Sequence, residues 1–290
     1  MTFRLPRTAA LAVTAAALAL AAVPATAAPP KRVVALTPFT ANITSALGVK
    51  PAAIGETLGG NENYAKALAG VKRLPLSHPN GPNMEQLAVL NPQLVLSSPT
   101  WRKGNQTMRQ LQIQVVESDP TSVADVPVQT ARIGKLLGRE KAANRLAKQQ
   151  RAHIATAKKR AIRHPSVLLV LGVGRTPYAF LENSWGGDVI KQAGGRLITK
   201  GLKNSGGFAR ISNEYVIDQN PDIIIAVPHG NAKDMDGLAN FLRTNPAWQD
   251  TKAVQEGHLY VSTDNALLQA WTSAAISIHD VQKQYLRNLP

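Results

Sequence analysis

Apolar and polar positions along the chain follow two alternating rhythms. A β-branched run at 32–36 leads through Thr37-Pro38-Phe39 into apolar residues at helical spacing, Ile43, Ala46 and Leu47, which stop at Gly48. This predicts a strand, a tight loop and a helix ended by glycine. Further strands are predicted at 52–54, 93–97 and 112–116, with helices over 84–90 and near 106–111 and a polar loop rich in Gly, Asn and Pro over 55–82. Over 122–163 Val123, Val126, Ile133, Leu136, Leu137, Ala143, Leu146 and Ala147 form one apolar stripe. That stripe predicts one long helix kinked at Pro127 and Gly138. The strand pattern then restarts at 167–171. The expected division is an N-terminal lobe over 28–121, a linking backbone helix over 122–164 and a C-terminal lobe over 165–290. Strands alternating with helices make both lobes α/β, with mostly parallel sheets.

An internal repeat strengthens this division. Residues 85–96, beginning at Glu85 and containing Asn91-Pro92, superpose with a constant offset of 129 on residues 214–225, beginning at Glu214 and containing Asn220-Pro221. Each copy places a Glu near a helix start, an Asn-Pro that ends the helix, and then a strand. A single Asn-Pro is an ordinary helix-to-strand turn. Its recurrence in register with Glu, at matching places in two lobes, argues for duplication.

Composition narrows the chemistry. The 290 residues contain no cysteine, which excludes disulfides, thiolate metal sites, a cysteine nucleophile and a lipid-modified cysteine. Arg4 and Arg7, the Ala/Leu/Val run at 8–23 and Ala25-Thr26-Ala27 read as an export signal over 1–27, cleaved near Ala27/Ala28. The apolar run falls short of the ~20 residues a membrane span requires, so a free protein outside the cytoplasm, in the periplasm, is expected. Removing the two arginines lowers the formal charge from +15 to +13, and residues 131–164 carry eleven basic residues against one acid, Glu140. That segment has no Phe, Tyr or Trp to stack on bases, so nucleic acid is not the expected partner. A solvated helix face is the plain reading, and attraction to an anionic polymer or membrane surface is the alternative. Neither a Gly-x-Ser-x-Gly elbow nor a His-Glu-x-x-His helix is present. Gly172-Val173-Gly174 lacks the third glycine of a dinucleotide site. An exported hydrolase is therefore disfavoured, and no enzyme activity is expected.

Several stretches in order, 32–38, 82–92, 133–142, 211–222 and 245–261, resemble the helical-backbone class of periplasmic substrate-binding proteins of ABC importers, those for ferric siderophores, haem and cobalamin. The resemblance implies a monomeric bilobal clamp with a ligand cleft between the lobes and a stiff helical spine. It implies that Glu85 and Glu214 dock on arginines of an ABC permease. It also implies a small-molecule metal chelate as ligand and no resident cofactor. A ferric siderophore is the leading expectation, with haem or cobalamin as alternatives.

In open α/β sheets ligands lie beyond the carboxyl ends of the strands. By that rule lobe one offers Thr37, Phe39, His78, Trp101 and Arg102. Lobe two offers Arg175, Tyr178, Trp185, Arg210, His229 and Trp271. The three arginines suit the planar oxygens of an anionic ferric chelate. The aromatics would form flat walls. Either histidine could ligate iron. No set of three His and a carboxylate for bare zinc or manganese can be assembled.

Overall fold

Two sheets, the first parallel except at one edge and the second mixed, with one strand antiparallel to both of its neighbours, account for the alternating pattern. They were traced in a computed structural model that describes residues 28–56, 64–160, 164–174, 176–230, 235–262 and 265–287. The expected export signal, residues 1–27, and Arg175 lie outside the described residues. Lobe one contains β1 (Val33–Ala35), α1 (Pro38–Ala46), β2 (Ala53–Glu56), β3 (Lys72–Ser77), β4 (Gly81–Pro82), α2 (Met84–Val89), β5 (Leu94–Ser97), α3 (Arg102–Gln110) and β6 (Val115–Glu117). Its strand order is β4-β3-β2-β1-β5-β6, parallel throughout except for β3 with β4. The linking segment supplies α4 (Asp125–Leu136) and α5 (Glu140–Lys158). Lobe two follows with β7 (Ser166–Val173), β8 (Thr176–Phe180), α6 (Trp185–Ala193), β9 (Arg196–Leu197), β10 (Phe208–Arg210), α7 (Asn213–Gln219), β11 (Ile223–His229), α8 (Met235–Arg243), α9 (Lys252–Gln255), β12 (Leu259–Val261) and α10 (Ala274–Val281). Its order is β10-β8-β7-β11-β12, with β9 also paired to β7.

The central strands are apolar without interruption because both faces of each sheet are covered. In lobe one Val33, Leu94 and Leu96 point inward with α1 and α4, while Val34, Leu36 and Val95 point outward under α2 and α3. In lobe two Val167, Leu169 and Ile225 face inward, and Leu168, Val170 and Ile224 pack outward with α7 and α8. The two inward faces and the linking helices form one continuous apolar core.

The duplication is visible down to the helix caps. Asn83 before α2 accepts from the Gln86 N–H through its side chain, and Ser212 before α7 accepts from the Tyr215 N–H. Both helices give way to an asparagine with positive φ, 43° at Asn91 and 37° at Asn220, a conformation asparagine tolerates better than most residues. β1, β2, β5 and β6 of lobe one correspond in order and direction to β7, β9, β11 and β12 of lobe two.

Two expectations need correction. The link is two helices rather than one long one. Gly138, at φ 63°, ends α4 in a left-handed cap: its N–H donates to the Lys135 carbonyl, and the Arg139 N–H reaches back to that of Gly134. Pro127 lies in the first turn of α4, where its missing N–H costs nothing, and so opens the helix instead of kinking it. α5 then packs back on α4, so closely that a Cβ on Gly134 would lie 2.0 Å from that of Ala143. The predicted loop over 55–82 contains β3 and β4. Pro75 masks an alternation in which Leu74 and Leu76 are buried between exposed neighbours.

Candidate functional site: the cleft between the lobes

Because β1, β3, β5 and β6 run parallel, the residues that follow them gather on one edge of sheet one: Thr37, His78, Ser98 and Asp119. In sheet two β7 and β11 end side by side, Val173 opposite His229. His78 at the first edge lies near enough to His229 at the second to act on it electrostatically, so these two strand ends are neighbours across the lobes. Burial first, then the neighbouring His78, lowers the His229 pKa and keeps its imidazole neutral. Among the described residues the buried His229 Nδ1 has no hydrogen-bond partner. A buried polar atom left in that state costs about 1–3 kcal/mol, which a ligand able to use it would recover. His78 is exposed, and its ring stands edge-on to Trp101 at 6.3 Å between centroids.

An imidazole from each lobe, that of His229 neutral, has a specific chemical use. Among the described residues no group of three or more His, Asp or Glu is placed to hold a metal ion. The pair therefore suits a metal that arrives with most of its coordination filled by a chelator and has axial positions open to nitrogen.

Asp119, not among the sequence candidates, is the other unusual group. It follows β6 and accepts a 2.9 Å hydrogen bond from the Thr37 hydroxyl. Burial raises its pKa to about 7, against the opposing effect of hydrogen bonds from Thr37 and Ser98. Thr37 in turn caps α1 and shares a capping box with Thr40. Three strand ends thus hold a carboxyl group that titrates near neutrality at the cleft edge.

A cavity of about 220 Å³ also lies between the lobes, lined by Asn42, Tyr64 and Ala65 on one side and Trp271, Thr272, Ser273 and Ile276 on the other. Trp271 is thus placed between the lobes, and its buried indole N–H has no partner among the described residues.

The remaining candidates divide. Tyr178 and Arg210 are opposite one another on the β8–β10 ladder, Tyr178 half-buried against the inner core and Arg210 exposed. Arg102 is exposed at the first residue of α3. Phe39 is fully buried in the inner core. It presents no surface to a ligand, because its place in the first turn of α1 turns it onto the sheet. Trp101, 8% exposed, belongs to the outer core of lobe one and backs His78 rather than forming a flat wall. Trp185 is likewise a core residue, its indole donating to the Ala266 carbonyl at 2.8 Å.

Glu85 and Glu214 are exposed in the first turns of α2 and α7, on the outward faces of their sheets. Hydrogen bonds from the Ser212 hydroxyl and a backbone N–H lower the Glu214 carboxyl pKa, against a smaller opposing effect of desolvation, so it is ionised. Among the described residues no helix is long and apolar enough to cross a membrane.

Known proteins share this fold. The chain is 27% identical over 192 residues to the high-affinity heme uptake system protein IsdE of Staphylococcus aureus, and spans 64% of that relative's length with 64% of its own. An ABC transporter substrate-binding protein from Listeria monocytogenes EGD-e superposes with a TM-score of 0.76 at 25% identity, covering 90% of this chain and 100% of that one. The S. aureus IsdE structure complexed with heme gives 0.75 at 23% identity, covering 88% and 99%. The family model described as periplasmic binding protein matches residues 33–266, a span that takes in every strand of both sheets, and the chain belongs to that family.

Proposed function

We propose that the protein is the substrate-binding component of an ABC importer, capturing haem between its lobes with His78 and His229 as axial ligands and delivering it through Glu85 and Glu214. The observation that carries this reading is the neighbouring histidine pair, one ring from each lobe, with a buried nitrogen of His229 left without a partner among the described residues. Haem brings four equatorial nitrogens and needs only axial donors. The likeness to a haem uptake protein supports the same choice. A ferric siderophore, the leading expectation from sequence, fills its own coordination shell and has no use for an imidazole pair. Of the three arginines expected to bind one, Arg175 lies outside the described residues.

Delivery rests on symmetry. Duplicated lobes carry one carboxylate each at matching first-turn positions, where the helix dipole stabilises the charge. Such a pair matches two cationic points on a permease with related halves.

The test is a titration of the protein with haemin, followed in the Soret region, with a ferric hydroxamate and cyanocobalamin as rival ligands by tryptophan fluorescence. A six-coordinate low-spin spectrum is expected, with His78→Ala and His229→Ala each lowering haem affinity at least about tenfold, ~1.4 kcal/mol. Tight binding of the hydroxamate with no Soret change would replace haem by a siderophore. Haem binding untouched by both substitutions would remove the axial assignment.

A further inference from the structure

The ligand cleft leaves the most concentrated charge on the molecule without a role. α5 buries Ala143, Ala147, Gln150 and Ala157 against its neighbours, chiefly α4 and α10. Lys141, Arg145, Lys148, Arg151 and Lys158 recur at spacings of three, four and seven residues, and all are exposed. At 100° per residue they fall within one arc of about 140°, which starts opposite the buried side at Lys141 and Arg145 and reaches its edge at Arg151 and Lys158. Glu140, in the first turn, is the one acid on the helix, and among the described residues none of these five cations is in an ion pair. The stripe runs along a helix about 28 Å long. It contains no Phe, Tyr or Trp to stack on bases and no exposed large apolar residue to insert into lipid. Glu85 and Glu214 belong to α2 and α7, which cover the outward faces of the two sheets, whereas α5 adjoins the inner core.

We infer that the α5 stripe is an electrostatic docking face for an anionic phospholipid surface, holding the protein reversibly at a membrane independently of what occupies the cleft. A row of cations with no apolar anchor matches a plane of phosphates. It attracts without penetrating, and releases as salt rises because such attraction decays within a Debye length of ~8 Å at physiological ionic strength.

The experiment is co-sedimentation of the chain from Ala28 onward, the expected exported form, with vesicles of phosphatidylcholine containing 30 mol% phosphatidylglycerol (~30% anionic lipid, a surface of the kind that attracts basic segments), across a salt series. Pure phosphatidylcholine vesicles serve as the uncharged surface. Each basic side chain at such a surface contributes a factor of roughly five. The variant Lys141→Gln/Arg145→Gln/Lys148→Gln/Arg151→Gln should therefore lose at least ~30-fold in affinity even if only some of the four touch lipid at once. The control Lys50→Gln/Lys66→Gln/Lys72→Gln/Lys103→Gln removes the same charge from exposed sites elsewhere on lobe one. It should bind within about twofold of the parent if the α5 face is what the surface feels. Glutamine has nearly the helix propensity of lysine and arginine, so the α5 variant should fold. Should it not fold, the salt series on the parent chain decides alone. Binding insensitive to salt, equal binding to uncharged vesicles, or equal losses in the two variants would each overturn the inference. So would a DNA duplex that displaces the protein from vesicles at equal phosphate concentration.

Discussion

Replacing Asp119 with Asn should stabilise the protein, and only above a particular pH. The folded protein holds the Asp119 proton up to about pH 7, whereas an unstructured aspartate releases it near 3.8. Between those values the folded state binds more protons than the unfolded one, so raising the pH erodes stability. At ~1.36 kcal/mol per pKa unit the full penalty would reach about 4 kcal/mol above pH 7. Asp119 keeps a little exposure to water, which relaxes the field around it, and about 2 kcal/mol is the expected effect. Asparagine cannot ionise, and its amide oxygen can still accept from the Thr37 hydroxyl. The variant should therefore be about 2 kcal/mol more stable than the parent at pH 8, with the advantage shrinking toward zero near pH 4. Urea denaturation at pH 4, 5.5, 7 and 8 reads the difference directly. A variant less stable at pH 8, or a difference that does not change with pH, would refute the argument. A carboxyl that costs stability at the mouth of a cleft is the kind of group that function retains.

Two further outcomes follow from the packing and the histidine pair. Gly134→Ala should cost about 2–3 kcal/mol in urea unfolding, because the new methyl meets Ala143 and must push α4 and α5 apart. Adding Ala143→Gly should return part of that loss, and no recovery would mean that the two positions do not touch. Because burial and His78 depress the His229 pKa, the part of haem affinity that His229 supplies, read as the difference between the parent and His229→Ala, should hold as the pH falls through the ordinary imidazole range near ~6.5 and decline only below it. A midpoint of loss at or above that value would contradict the buried, neutral imidazole.

The fold was legible in sequence wherever burial on both faces leaves an unbroken apolar run, as in β1, β5, β7 and β11. The duplication was legible because Glu, Asn and Pro recur at one offset and each has a local job: first turn, left-handed cap, helix stop. β3 was hidden by Pro75, which breaks the look of a strand without breaking its alternation. In the site, His229 was named from the strand end it follows, and His78 from the long loop before α2, since the strand ahead of it went unrecognised. The strand-end rule missed Asp119 for a geometric reason: the strand predicted at 112–116 is β6, Val115–Glu117, so the loop that faces the cleft begins later than the pattern implied. Phe39 and Trp185 were misjudged for a related reason. Each sits in the first turn of a helix, where the chain has already turned inward and the side chain packs on its own sheet.

The continuous inner core has a consequence for how the molecule comes apart. Val33 and Leu96 of one sheet, Val167 and Ile225 of the other, and Ile133 and Ala143 of the link belong to a single apolar cluster. Gln150 and Gln282 reinforce it, donating from side chains to the Thr272 and Ala157 carbonyls at 3.0 and 3.1 Å. Neither half can shed its inner layer without stripping the other, so heating should melt both in one cooperative step. A cargo molecule that grips only the rim would then raise the melting temperature of the entire chain.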